Sequence, residues 1–371
     1  MLDSRTIYEF VQDNRRNNLD SYPNFKPNML IKDFDHLQKQ NYNEGFIAEG
    51  GKIFPLSNIS NILTTTGNEG GFYPNIKTDR YGFNNDDIIY NKIIDIALLG
   101  DSFVEGSDVN PIDNISSILL NNNYNTLNLG KSHSGPLVQY AILKEYLIKF
   151  KPKKVFWFYF ANDHKDLTNE LRSQTLLKYL NENDFSQNLI SKQQIVDSVL
   201  KKYFQLLESN YVQDIKNVRN YYDKKDYNHL YFKRILRVVK LFNLRGKLNL
   251  LIDMRPIEAN KNQLKIQKKI IIDAKKIIES WNGELKFVFI PQYTRGMSFI
   301  SQELNWIVET DISNEVIKML IENDLEYIDL AEHIYAHEDP LSLYPFRIPL
   351  HFNEKGYAMI SKILIEDLNK Q

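Results

Sequence analysis

Cysteine is absent from this chain, which excludes disulfides, thiol nucleophiles and cysteine-ligated zinc. An excess of charge is missing too. The 46 basic residues face 47 acidic ones, so no overall field draws the protein to nucleic acid, and any charge argument has to be local. No run of about 18 apolar residues occurs, so no transmembrane helix is expected. The first residues, MLDSRTIYEFVQDNRRNN, lack the basic start and apolar stretch of a secretory signal, and the expected compartment is the cytoplasm. What the chain does have is 371 residues, 43% of them hydrophobic, enough for a sizeable core in one large domain or two ordinary ones.

The organising stretch is Ile93 to Gly106, IIDIALLGDSFVEG. From Ile94 to Leu99 it is apolar at every position but Asp95, the pattern of a strand buried on both faces of a parallel sheet. Gly100 then allows a sharp turn, and Asp101-Ser102-Phe103 opens a new element. The Ser102 hydroxyl is therefore expected at the carboxyl end of a central strand, where open α/β sheets keep their sites. At the first turn of a helix it would also meet free backbone N–H groups able to steady an oxyanion. Ser and Asp are common helix caps as well, so the tripeptide alone does not decide its own role.

Two more strand, polar-loop, helix units come next. PIDNISSILLNN, with Pro111 near a helix start and Ile112, Ile115, Leu119 and Leu120 at apolar positions, reads as a crossover helix. TLNLG at 126–130 is a short strand ending in KSHSGP, and LVQYAILKEYLIKF is an amphipathic helix. VFWFYF at 155–160 is a third strand, followed at once by Ala161, Asn162 and Asp163. The alternation resumes with the helix LKIQKKIIIDAKKIIESWN, the strand at 285–290, the helix SNEVIKMLIEN, the strand at 326–330 and the terminal helix of HFNEKGYAMISKILIEDL. Five parallel strands with right-handed crossovers suffice for a three-layer α/β/α sandwich.

Two regions stand outside this alternation. Residues 1–90, rich in aromatic, Asn and Gly residues, read as a short helix followed by small strands and loops. With no titratable cluster of recognisable spacing, the segment is expected to be a lid or appended subdomain. The second region, about 165–263, reads as a helical insertion. Within it Lys233, Arg234, Arg237, Lys240, Arg245 and Lys247 lie without an acid among them, and Ile235, Val238, Val239 and Phe242 recur at helical spacing. A helix solvating its charges is the common case. The stretch is also a candidate for contact with an anionic surface at the inner membrane, whereas nucleic acid lacks any recognised module here.

A serine nucleophile needs a base and donors for the oxyanion. His351, just before the last helix, is the candidate base, and Asn162, immediately after a buried strand, a candidate donor.

GDSF at 100–103, NLGKSHSG at 128–135, AND at 161–163 and HFNEKGY at 351–357 resemble, in order and spacing, the four blocks of the SGNH (GDSL-like) hydrolases. The lead-in TDRYGFNNDD is similar to that of bacterial members. The resemblance covers 92–163 and 264–371 and implies a flavodoxin-like sandwich with Ser102 as nucleophile, His351 as base, and Ser102 N–H, the backbone N–H of His133 and Asn162 as oxyanion donors. It implies no metal or organic cofactor. The family's Asp three residues before the histidine is replaced by Ile348; Asp339, Glu338 or a backbone carbonyl are the candidate substitutes, Asp339 foremost. The expected activity is hydrolysis of acyl esters, such as short O-acyl (acetyl) groups on a carbohydrate or small lipid. O-acyl transfer in surface-polysaccharide biosynthesis and a non-catalytic binding module are the alternatives on the same scaffold.

Overall fold

The computed structural model describes residues 2–31, 42–160, 162–223, 261–291, 314–348 and 350–370. The basic stretch with Lys233, Arg234, Arg237 and Lys240 lies outside these residues. Among the described residues no helix is long and apolar enough to cross a membrane.

The strands of the described residues are, in chain order, β1 (Ser21–Pro23), β2 (Phe46–Ala48), β3 (Gly51–Ile53), β4 (Leu63–Thr65), β5 (Asn75–Lys77), β6 (Ile96–Leu99), β7 (Thr126–Asn128), β8 (Lys154–Phe160), β9 (Glu284–Ile290) and β10 (Glu326–Asp329). The main sheet runs β10-β9-β8-β6-β7 with every pair parallel. Taken in chain order its strands lie 2-1-3-4-5, the flavodoxin-like arrangement, and the order reverses at β6 and β8. Those are the strands that end at Leu99, three residues before Ser102, and at Phe160, two before Asn162.

Strand periodicity sorts the side chains of the sheet into two cores. Ala97 and Leu99, Trp157 and Tyr159, and Phe287 and Phe289 face one side; Ile96 and Leu98, Phe156 and Phe158, and Val288 and Ile290 face the other. The second side is covered by the helices Ile115–Asn121, Leu330–Tyr335 and Glu354–Leu368. The first is covered by helices including Pro136–Ile142 and Lys261–Glu279 and by the N-terminal segment, whose Phe25, Phe54, Leu56 and Phe83 join the same buried cluster. That segment contributes the small sheet β1-β4-β5 and the β2-β3 hairpin.

A polar network fastens the N-terminal segment to the loops around Ser102. Lys131 and Glu105 are fully buried and paired, and Lys131 Nζ also donates to Asn24 Oδ1 at 2.6 Å. The Glu105 carboxylate accepts from Asn24 Nδ2 at 2.8 Å and from the Ser132 N–H at 3.1 Å, as well as from the Ser132 hydroxyl.

Two boundaries differ from the sequence reading. The first sheet strand begins at Ile96, since Asp95 lies before the ladder and binds Lys153 at 3.2 Å. Pro111 heads a separate short turn, Pro111–Asp113; the crossover helix is capped by Asn114, whose Oδ1 accepts from the Ser117 N–H at 2.8 Å. Ile112 is consequently exposed. Within the expected insertion, the described residues form the helices Asp163–Glu170, Gln174–Asn181 and Gln193–Asp223.

Candidate active site

The turn that carries Ser102 depends on glycine. A Cβ on Gly100 would come within 2.5 Å of Val104 Cγ2 and 3.0 Å of Phe158 Cβ, so only a bare backbone fits where β6 turns. Asp101 caps the short helix Ser102–Glu105 by accepting from the Phe103 N–H at 3.0 Å. The helix ends at Gly106 with φ +77°, a left-handed value suited to glycine. Ser102 thus sits in the first turn, where N–H groups have no intrahelical acceptor.

His351 is set in place by its neighbours on the C-terminal side. Asn353 caps the final helix, its Oδ1 accepting from Lys355 N–H at 3.0 Å and Gly356 N–H at 3.2 Å. Its own N–H and side-chain amide bind the carbonyls of Leu343 and Ser342, each at 2.9 Å. The imidazole lies tilted against Phe103, ring centroids 4.9 Å apart. Its Nε2 lies 2.6 Å from Ser102 Oγ.

On the opposite nitrogen the structure places an acid that the sequence reading missed. Glu69 Oε2 is 2.9 Å from His351 Nδ1 and also accepts the His351 backbone N–H at 2.8 Å. Asp108 Oδ2 lies 3.2 Å from the same Nδ1. Asp339 is not brought to the histidine: it forms a two-pronged pair with Arg347, at 2.6 and 2.8 Å, on the exposed side of the loop. Ile348, three residues before the histidine, is half exposed. The N-terminal segment, whose sequence shows no titratable cluster of recognisable spacing, is therefore the element that carries a carboxylate to the site. Its only signal in the sequence is an acid set among glycines, GNEGG at 67–71, and Asp108 carries none.

The electrostatics are set by these contacts. Burial works against a charged His351, but the hydrogen bond and charge of Glu69, with Asp108 and Asp101 behind, outweigh it and hold the imidazole above its ordinary value. Burial would raise Glu69, yet its bonds and attraction to His351 leave it below the usual carboxylate range. Asp108 goes the other way: burial pushes it up more than His351 pulls it down. Burial also pushes Asp101 up, to about 6. An ionised carboxylate at Nδ1 can only accept, so this geometry favours a proton on Nδ1 and leaves Nε2 to accept from Ser102 Oγ. Glu69, Asp108 and His351 are also a group whose donor atoms, within 4.8 Å of one another, could meet at a divalent ion.

The expected oxyanion donors come from two neighbouring loops. His133 is half-buried with φ +54°, and the next residue, Ser134, donates to the Gly100 carbonyl at 3.2 Å. Lys131 N–H binds the same carbonyl at 3.0 Å, which seats this loop on the Ser102 turn. Asn162 lies against Asp101 and favours its charged form. Asp101 Oδ2 is buried and, among the described residues, has no hydrogen-bond partner of normal geometry. Asn162 itself is exposed and makes no cap bond to its helix.

No family model and no curated protein matches the sequence. Solved structures are similar in part. A G-D-S-L family protein from Desulfitobacterium hafniense DCB-2 is 12% identical, with 72% of this chain and 98% of that one covered and a TM-score of 0.37. A lipase/acylhydrolase from Enterococcus faecalis is 12% identical over 74% of this chain and 95% of that one, TM-score 0.39. A two-domain esterase active on acetylated mannans is 12% identical over 77% of this chain and 51% of that one, TM-score 0.36.

Proposed function

We propose that the protein is a serine esterase acting on acyl esters, with Ser102 as nucleophile, His351 as general base and Glu69 as the acid behind it. The observation that carries this reading is the 2.6 Å contact between Ser102 Oγ and His351 Nε2, on an imidazole whose Nδ1 faces Glu69 at 2.9 Å. His351 takes the Ser102 proton as Oγ attacks the ester carbonyl, and the tetrahedral oxygen turns toward the N–H groups of Ser102 and His133 and the Asn162 amide. The imidazolium, held by Glu69, returns its proton to the leaving alcohol. Water, activated by the same histidine, then releases the acyl group and restores Ser102. The resemblance in motifs puts short O-acyl groups on carbohydrates and small lipids first among the substrates.

The test is labelling by a fluorophosphonate, wild type beside Ser102→Ala, with ester hydrolysis followed on the same samples. Labelling and turnover that depend on Ser102 are expected. A folded wild-type protein that neither labels nor turns over would overturn the reading in favour of a binding module.

A further inference from the structure

One acid suffices for a Ser-His-acid arrangement, yet two carboxylates converge on the same nitrogen. Asp108 is 3% exposed and holds φ +67°, a left-handed value rare for a residue other than Gly, Asn or Asp. Two contacts fix the side chain there. Asp108 Oδ2 lies 3.2 Å from His351 Nδ1, and Asp108 Oδ1 accepts the backbone N–H of Glu69 at 2.9 Å. The loop that carries Glu69 is cut to fit this carboxylate. A Cβ on Gly67 would come within 2.3 Å of Asp108 Oδ1.

From this arrangement we infer that Asp108 is a positioning residue with two tasks: it seats the Glu69 loop against His351, and it offers the Nδ1 proton a second acceptor when Glu69 is lost. The inference rests on the proposed Ser102–His351 chemistry. With Glu69 removed, Asp108 still holds the imidazole in the Nδ1-protonated form, so Nε2 still accepts from Ser102. With Asp108 removed, the loop loses its anchor and Glu69 its fixed approach. With both removed, neither tautomer nor ring orientation is enforced.

The expected losses are therefore not multiplicative. On the scale of about 10⁴ for removing the orienting acid of a triad, Glu69→Ala should lose roughly 10-fold in kcat. Asp108→Ala should lose roughly 10²-fold, and the double variant about 10⁴, more than the product of the two. KM should change little, since neither carboxylate lies on the substrate side of the imidazole. Asp108→Asn keeps an acceptor for the Glu69 N–H and should recover most of the Asp108→Ala loss. Gly67→Ala, which alters no carboxylate, should lower kcat in the same direction by pushing the loop off Asp108. The pH profile of kcat/KM adds a readout that a merely structural role would not move. Asp101 and Lys26 remain near the site in every variant, so the acid limb should shift to lower pH with each carboxylate removed, furthest in the double variant.

Thermal melts of each variant separate loss of fold from loss of chemistry, and Asp108→Asn and Gly67→Ala serve if Asp108→Ala does not fold. A double variant no worse than Glu69→Ala, or an Asp108→Ala protein with wild-type kcat and pH profile, would overturn the inference while leaving the esterase reading intact. A wild-type protein unreactive at Ser102 would instead overturn the esterase reading.

Discussion

Glu69 and His351 are separated by 282 positions in the chain, and Oε2 of the first binds both Nδ1 and the backbone N–H of the second, at 2.9 and 2.8 Å. The acid is thus not in the histidine's own loop, where Ile348 stands half exposed. It arrives from the segment that covers one face of the sheet.

His351 should control the acid limb of activity. Burial alone would lower its value, but Glu69 first and Asp108 next raise it above the ordinary value of about 6.5. The base must be neutral, so kcat/KM should rise with pH through a midpoint above 6.5 in the wild type. The linked stability has the opposite sense: the contribution of protonated His351 is fully present below about 6.5 and is lost as pH rises through the folded value. A pH–rate profile checks the first statement, and denaturation at several pH values in wild type and His351→Gln checks the second.

Ser102→Ala and His351→Ala should each remove nearly all turnover while keeping the thermal midpoint within a few degrees of wild type. Both side chains lie at the mouth of the sheet and not in either apolar core. Full activity in Ser102→Ala would leave the mechanism without a nucleophile.

Asn162→Ala should lose about 10²- to 10³-fold in kcat, the usual cost of one oxyanion donor. Its side chain makes no cap bond to the helix it precedes, so stability should hardly move. An unchanged kcat would confine Asn162 to its electrostatic contact with Asp101.

Lys131→Met should destabilise the protein by about 3–5 kcal/mol, because it strands the Glu105 carboxylate without its ion-pair partner in a site closed to water. Lys131→Met combined with Glu105→Gln should recover much of that loss. Urea denaturation of the two variants and wild type makes the comparison. The pair also joins Asn24 to Ser132, so the single variant should loosen the docking of the N-terminal segment and slow turnover.

The sheet was legible because its strands are buried on both faces and therefore nearly continuous in apolar residues: VFWFYF and LKFVFI announce β8 and β9 within a residue at each end. Ser102, Asn162 and His351 could be singled out because each follows a strand or precedes a helix, a local relation that a linear sequence displays. Glu69 and Asp108 could not. Neither sits at such a boundary, and their meeting at Nδ1 is made by tertiary packing of a loop whose only marks are glycines. Asp339 drew attention through proximity along the chain to His351, but Arg347 is nearer in space and of opposite charge. In the N-terminal segment, strands of three residues are too short for periodicity to show.

The placing of Glu69 has a consequence for how the molecule comes to be active during folding. Helices close over a few residues and the pairings of the main sheet over 30 to 130, whereas the contacts of His351 with Ser102 and Glu69 close loops of 249 and 282 residues. Non-local closures of this kind slow folding. In a refolding experiment, far-UV circular dichroism should therefore recover ahead of reactivity at Ser102, and the appearance of labelling would time the docking of the N-terminal segment onto the finished sheet.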